Sequence, residues 1–470
     1  MNATNAIQGQ GRPREDLVEQ VLDLVRSATG DGAEAEVTAE TSTLALTRFA
    51  NSFIHQNVAD ASTVVRLRLH LDGRTASGST TRVSRDALAA VVDRAVAGSR
   101  LRPADPGWPG LTPSSPAAAS GNRDGATATA SPAARADVVR GFVDAIAGLE
   151  GAGYCQTIDT VAAYGNSAQQ SLTGGATSAT FDGIARTGSS DGVARAASVS
   201  LADIDGTALG VIAADKARRG GNPVEFPPGD YEVVLEPDAV ADILMFVDLY
   251  GFNGRAVNEG RSFVRVGEEQ FDPQLTIVDD ATAPGATGLP FDAEGTPKHR
   301  VELVDAGASR TIVHDRRTAK EAGTETTGHA VEGGERWGAV ATDLVLEPAS
   351  RPASRQRPMS PHAVVVDDLV AGVDRGFLVT DFHYTRVLDP RTVVVTGLTR
   401  NGLWLIEGGE VTAAAKNLRF TQSYPSALAP GAVLGLGSIA AMRPTQFGSV
   451  HVTAPALRLA GWHFTGGASG

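Results

Sequence analysis

Cysteine is nearly missing from this sequence: Cys155 stands alone among 470 residues. That excludes an internal disulfide and any zinc or iron–sulfur site built on several thiolates. An excess of basic charge is missing as well. The 41 Lys and Arg face 54 Asp and Glu, for a net charge of −13. Such an acidic chain is a poor neutraliser of nucleic-acid phosphates, so no nucleic-acid partner is expected. Long apolar runs are absent: Ile243 to Val247 falls far short of the roughly 20 residues that a membrane helix needs. The opening MNATNAIQGQGRPRE has no apolar core of the secretory kind. These absences predict a soluble, cytoplasmic protein with no membrane partner. What is present is an ordinary globular balance, 42% hydrophobic and 20% charged, in a chain longer than the roughly 250–300 residues one core supports. Two domains are expected, 1–222 and 223–470.

Periodicity fills in that frame. Leu17, Val18, Val21, Leu22 and Val25 recur at helical spacing up to a stop at Gly30. Ala33, Ala35, Val37 and Ala39 alternate with Glu34, Glu36, Thr38 and Glu40, as in a half-buried strand. Val65 to Leu71 alternates likewise, and Asp72-Gly73 then predicts a hairpin turn. Ser84 is placed to cap a second helix. Residues 101–136, rich in Pro, Ala and Ser, read as a surface linker. A third helix is expected over 137–149, strands over 154–201 and a helix over 207–218. Gly220-Gly221-Asn222-Pro223 marks the domain boundary. Beyond it, Tyr231 to Leu235 reads as a strand and Pro237 to Leu249 as a buried helix with Pro in its first turn. Later strands are expected at Val364–Val366, Phe377–Thr380, Thr392–Thr396 and Leu403–Ile406. Gly174-Gly175, Gly333-Gly334 and Gly408-Gly409 read as turns. The fold class is α+β: antiparallel-sheet-rich with flanking helices and a mainly β C-terminal half.

Chemistry is harder to place. No two of the nine histidines sit one helical turn apart, so no zinc helix is expected. There is no Walker-type phosphate-binding loop. Cys155 lies on an expected strand with no cation beside it, and reads as a small buried hydrophobe. The densest acidic group is Asp279-Asp280 with Asp292 and Glu294 on the loop PFDAEGTP. It could form a metal or amine site, although Asp in turns commonly bonds its own backbone.

Five segments together resemble the TldD/PmbA family. They are Arg48-Phe49-Ala50-Asn51-Ser52 with Ile54-His55-Gln56-Asn57; Asp279-Asp280 with PFDAEGTP at 290–297; Asp315 to Lys320 with Thr326-Thr327-Gly328; Gly402 to Gly409; and Pro455 to Arg458. The resemblance implies a peptidase of two related subunits acting on unfolded peptides. A TldD-like subunit binds zinc through a His-Glu-x-x-x-His helix and a late Cys, and a TldE-like (PmbA) subunit lacks them. An older family label, modulator of gyrase, suggests DNA, which this acidic chain does not support. Counted without gaps from Val233-Val234-Leu235, the His, Glu and second His positions hold Met245, Phe246 and Tyr250, and no Cys follows Cys155. The resemblance therefore implies a TldE-like subunit with no catalytic residue, metal or cofactor of its own. Zinc is expected in a TldD-like partner, and an extended or unfolded peptide as substrate. Arg48, Phe49, Asn51, His55, Asp279, Asp280, Asp292 and Glu294 are the candidates for a substrate or interface surface. Two alternatives stay open: a homodimeric binding or scaffold protein, and a divergent hydrolase using Asp279, Asp292, Glu294 and His299.

Overall fold

A computed structural model describes residues 14–116, 122–348, 362, 365–445 and 450–467. Residues 117–121 of the expected linker, and Val364 of one expected strand, lie outside the described residues.

The first sheet is a six-stranded antiparallel meander of long strands. It holds β1 (Ala33–Ala50), β2 (Phe53–Leu71), β3 (Arg74–Thr80), β4 (Glu150–Asn166), β5 (Ser171–Arg186) and β6 (Asp191–Ser198) in the order β3-β2-β1-β4-β5-β6. Asp72 and Gly73 turn β2 into β3 with φ of 50° and 71°, as the dipeptide requires. Helices cover one face of this sheet at both ends. At one end, α1 (Arg14–Thr29) and α2 (Arg85–Leu101) bury Leu17, Val21 and Val91 against Val37 and Leu67. Ser84 caps α2 by accepting from the Ala87 N–H. The segment after α2 contains the short α3 (Gly125–Ala128). At the other end, α4 (Pro132–Ala145) and α5 (Gly206–Arg219) bury Phe142 and Leu209 against Phe49 and Phe181. Val37 and Phe49 are an even number of residues apart, so both helix pairs sit on the same face of β1.

Three expectations change here. The third helix starts at Pro132, not 137, because Ser131 caps it and Pro132 fits its first turn. The 101–136 segment is anchored rather than free: Trp108, Thr112, Asn122 and Arg135 are all buried. Gly174 and Gly175 lie inside β5, not in a turn. A Cβ on Gly174 would meet Pro290 at 2.6 Å and one on Gly175 would meet Arg123 at 2.6 Å, so these glycines admit neighbouring chain against the sheet.

The C-terminal half is mainly strand. The remaining strands are β7 (Gly229–Leu235), β8 (Ile277–Asp279), β9 (Val301–Asp305), β10 (Ala308–Ser309), β11 (Asp343–Leu346), β12 (Arg375–Asp389), β13 (Val394–Glu407), β14 (Glu410–Ala414), β15 (Leu418–Ser423), β16 (Val433–Leu436), β17 (Ala441–Pro444), β18 (His451–Ala454) and β19 (Leu457–Gly467). One sheet runs β10-β9-β8-β11-β18-β17. The other runs β12-β7-β19-β15-β13-β14, and β12 also pairs with β13, which closes five strands into a ring. Two pairings are parallel, β7 with β12 and β11 with β18. The expected strands at 392–396 and 403–406 merge into β13. Val366 is not strand: it precedes the short helix Asp367–Val370. Between the two sheets lies α6 (Pro237–Val247), with Pro237 in its first turn. Its residues Ile243, Leu244 and Val247 join Phe377, Val379, Val452 and Trp462 in one core. Among the described residues no helix is long and apolar enough to cross a membrane.

Candidate functional site

The helix α6 carries the positions that the family resemblance singles out. Nine of its eleven residues are buried, which follows from a sequence with almost no polar face. Met245 and Phe246 are each 4% exposed. The Phe246 ring stacks on Tyr250 at 6.0 Å and meets Tyr424 edge-on at 6.0 Å. After Val247 the helix loosens into a π turn, Asp248–Phe252, where an ordinary helix to Leu249 was expected. In an α-helix, residues five apart point about 140° away from each other. An i→i+5 turn brings them closer to one face, and such turns recur at functional sites. The spacing of the implied His pair suits this backbone, but the side chains do not suit zinc. Zinc takes thiolate, imidazole or carboxylate donors. A thioether and a phenyl ring are neither, and Tyr250 alone would be a single ligand. Among the described residues, no three His, Cys, Asp or Glu side chains converge in a way that could hold a metal ion.

Met245 instead lines a cavity of about 290 Å³ between α6, the β6 side of the first sheet and β12. Arg195 of β6 reaches into it. Its Nε donates to Asp182 Oδ2 at 2.9 Å, and its Nη1 donates to Asp238 Oδ1 at 3.2 Å and Asp381 Oδ2 at 2.8 Å. Arg443 Nε donates to the second oxygen of Asp238 at 2.9 Å. A neighbouring buried pair, Lys216 Nζ to Glu236 Oε2 at 2.5 Å, joins α5 to the residue before α6. None of these charged groups was singled out from the sequence.

The acidic loop is a second centre, and its acids face inward. Asp279, Asp280, Asp292 and Glu294 are all buried. Asp292 organises its own turn: Oδ1 accepts from the Glu294 and Thr296 N–H groups at 2.9 and 2.8 Å, and Oδ2 from the Ala330 N–H at 2.9 Å. Asp280 Oδ1 accepts from Thr282 N–H and Oγ1. Glu294 belongs to an ion network with the first sheet. Its Oε1 accepts from Arg68 Nη2 at 2.7 Å, and its Oε2 from Arg316 Nε at 3.2 Å and Arg316 N–H at 2.9 Å. Arg316 Nη2 also donates to Glu36 Oε2 at 2.5 Å, and Arg68 pairs with Glu36 Oε1. Burial alone would raise the Glu294 carboxyl, but the two guanidiniums overcome it and hold the group below its ordinary value. Tyr164 donates to Glu36 at 2.9 Å, and Trp108 lies under both Arg68 and Arg316. Arg317 grips Asp105 through two bonds of 3.0 and 2.9 Å, fixing the segment after α2. The sequence alternation marks Glu36 as solvent-facing; the structure covers that face with the 290–297 loop.

Asp279 has a different set of partners. Its Oδ2 faces His329 Nε2 at 3.0 Å, and His329 Nδ1 faces Thr327 Oγ1 at 2.9 Å. The order Asp–His–hydroxyl is that of a nucleophilic triad. Burial opposes ionisation of Asp279, yet His329, Lys298 and the Asp343 N–H hold it near 2. The Thr327 hydroxyl is already committed to His314, accepting from its N–H at 2.8 Å and lying 3.2 Å from its carbonyl. Asp279 and His329 are both about 1% exposed. His299 is exposed and apart from the buried acids. Nearby Asp248, in the π turn, leaves Oδ1 without a partner, and burial beside Asp279 pushes its carboxyl well above the usual range.

The hairpin candidates divide by face. Phe49 is core, packed on Phe142 and Phe181. Arg48, Asn51 and His55 are exposed. Asn51 and Ser52 form the β1–β2 turn with φ of 50° and 63°. His55 is the extra residue where the register shifts opposite Arg48/Phe49. Because β3 begins opposite Leu71 and ends opposite Val65, the outer edge of β2 from Phe53 to Val64 has no neighbouring strand among the described residues. Cys155 is fully buried, and burial pushes its thiol up to about 12, so it is not poised for thiolate chemistry.

Comparison with known proteins bears on the family and the fold. Residues 228–466 match the family model for the PmbA/TldA metallopeptidase C-terminal domain. A metalloprotease of Archaeoglobus fulgidus is 28% identical over 99 residues, 21% of this chain and 23% of that protein. A metalloprotease of Methanocaldococcus jannaschii is 27% identical over 106 residues, 22% of this chain and 24% of that protein. The chain thus spans about a quarter of the length of the curated relatives it matches. In fold the likeness is far wider. TldE from Thermococcus kodakarensis superimposes with a TM-score of 0.83 at 18% identity, covering 96% of this chain and 100% of that one. A candidate modulator of a DNA gyrase from Thermotoga maritima gives 0.80 at 16% identity, covering 96% and 100%. The family model spans more than half of the sequence, and the chain therefore belongs to the TldD/PmbA family, with a TldE-like fold.

Proposed function

We propose that this chain is the non-catalytic, TldE-like subunit of a heteromeric zinc metallopeptidase that trims or degrades unfolded peptides. Its task is to complete the substrate cavity around a TldD-like partner, which supplies the zinc. The observation that carries the reading is α6, where Met245 and Phe246 fill a core position that a zinc-bearing relative would give to a ligand and a base. The open edge of β2 supports a peptide-holding role, since an extended chain can add to it through main-chain bonds with little sequence preference. A division into domains at 222/223 and a cytoplasmic location belong to the same proposal. The test uses purified full-length chain with added zinc and an unfolded peptide, alone and mixed with a TldD-like subunit. No cleavage alone and chelator-sensitive cleavage in the mixture are expected. Chelator-sensitive cleavage by the isolated, contaminant-free chain would overturn the proposal.

A further inference from the structure

The cavity beside α6 has more acceptors than its own cations satisfy. Asp182, Asp238 and Asp381 are each bonded by Arg195, and Asp238 by Arg443 as well. Asp242 is different. Thr385 Oγ1 donates to its Oδ1 at 2.9 Å and Tyr424 OH to its Oδ2 at 2.8 Å, but no Lys or Arg pairs with it among the described residues. Two hydroxyl donors orient the carboxylate and do not neutralise it. The wall nearest Asp242 is apolar, made by Ala241, Met245 and Phe382. The rim is open and aromatic: His383 is exposed, and Tyr384, 66% exposed, is held at φ 58° in an irregular stretch of β12.

A protonated alkylamine matches this set. Its N–H donors and its charge meet the carboxylate that no guanidinium pairs, and its methylene stem meets the apolar wall. The Tyr384 ring at the rim already carries the Arg386 guanidinium, 4.6 Å from its centroid, so selectivity for the amine rests on Asp242. The volume, about 290 Å³, lies at the lower end of the range for ligand pockets, which suits one side chain or chain terminus. We propose that the α6 cavity is a recognition site for a primary ammonium group, either a lysine side chain or the amino terminus of a peptide, with Asp242 as its counter-ion. The site belongs to this chain alone and stands whether or not the peptidase partnership does.

The test is calorimetric titration of the full chain at about pH 7.5, above the value of about 7 to which burial raises Asp242, with three neutral-bodied probes: Nα-acetyl-lysine methylamide, alanyl-alanine amide, and Nα-acetyl-norleucine methylamide. The norleucine probe keeps the stem and lacks the charge. At least one amine probe should bind roughly tenfold or more tightly than the norleucine probe, since a charge-assisted bond is at stake. The winning probe identifies the source as side chain or terminus. Asp242→Asn should remove the preference. In case that variant folds poorly because Tyr424 depends on Asp242, Met245→Lys provides a second arm. It places an amine three residues along the same helix face and should block the probes while thermal stability is kept. Equal binding of all three probes, no binding of any, or unchanged amine binding by a folded Met245→Lys protein would overturn the proposal.

Discussion

Arg316 is the residue whose loss should cost the molecule most per atom removed. Its side chain is 7% exposed and serves two carboxylates that are equally buried, Glu36 on β1 and Glu294 on the central loop. Arg316→Met keeps most of the volume and removes the guanidinium. Among the described residues Arg68 is then the only cation paired with both acids. Breaking one partner out of a buried ion network costs about 3–5 kcal/mol, because the remaining charge stays buried. An exposed pair would cost about 0–1 kcal/mol. The two cases separate cleanly in urea denaturation followed by tryptophan fluorescence and circular dichroism together. Trp108 is a local reporter, since its ring lies 5.9 Å from the Arg316 guanidinium carbon. Glu36→Gln combined with Arg316→Met should restore part of the loss, with a coupling of roughly 1–3 kcal/mol. Amide exchange should quicken at Glu294, Thr296 and Ala330, whose N–H groups bond Asp292 on the same loop. A loss below about 1 kcal/mol, with exchange unchanged, would refute the claim that this network clamps the loop to the first sheet.

Two further predictions follow from the same geometry. Gly295 sits at φ +69° with the Tyr164 ring 2.1 Å from where a Cβ would lie. Gly295→Ala should therefore lower stability by roughly 2–4 kcal/mol, from left-handed backbone strain and overpacking, as read by the midpoint of thermal or urea unfolding. Asp242 should give a pH signature. Burial pushes its carboxyl up to about 7, with Asp381 adding to the rise against the two hydroxyl donors, while the unfolded chain titrates near about 3.9. Between those values the folded protein holds a proton that the unfolded chain has released. Its contribution to stability is therefore present at low pH, falls as pH rises through about 4 to 7, and is flat above. The stability difference between Asp242→Asn and the parent should shift in favour of the variant across that window. A difference independent of pH would show that the group titrates normally.

Local signals in this sequence proved readable where one residue type dictates one conformation. Asp72-Gly73, Ser84 and Pro237 each sit where their stereochemistry demands. Alternation along β1 located its core face. It could not say what covers the other face, because the covering residues arrive from far along the chain: Glu36 and Arg316 are 280 positions apart, and Arg68 and Glu294 are 226. The same blindness explains Gly174-Gly175. Paired glycines suggest a turn by their freedom, yet here they serve by their size, leaving room for Pro290 and Arg123 against a strand. The acidic loop was visible as a cluster of carboxylates. Whether such a cluster faces water or a guanidinium is decided by tertiary packing, and the bland reading of Asp292 as a turn-former describes its bonds well.

The helix α6 shows how far a backbone can be kept while its chemistry is changed. The π turn Asp248–Phe252, which holds Tyr250 five residues after Met245, is a feature that five-residue spacing of two converging side chains would use. Yet restoring donors is not a matter of three substitutions. A carboxylate at 246 would be buried against the Tyr250 and Tyr424 rings, and a buried charge left unpaired costs more than a single bond returns. The thiolate that completes the implied set has no counterpart either, because Cys155 lies on β4, sealed in the helix-covered face of the first sheet. The apolar occupants therefore act as structure, tying the ring of strands to the second sheet. A polar opening along the helix is the cavity that Asp238, Asp242 and Met245 share with Arg195. Chemistry specific to this chain is to be sought there, at Met245 and one turn before it.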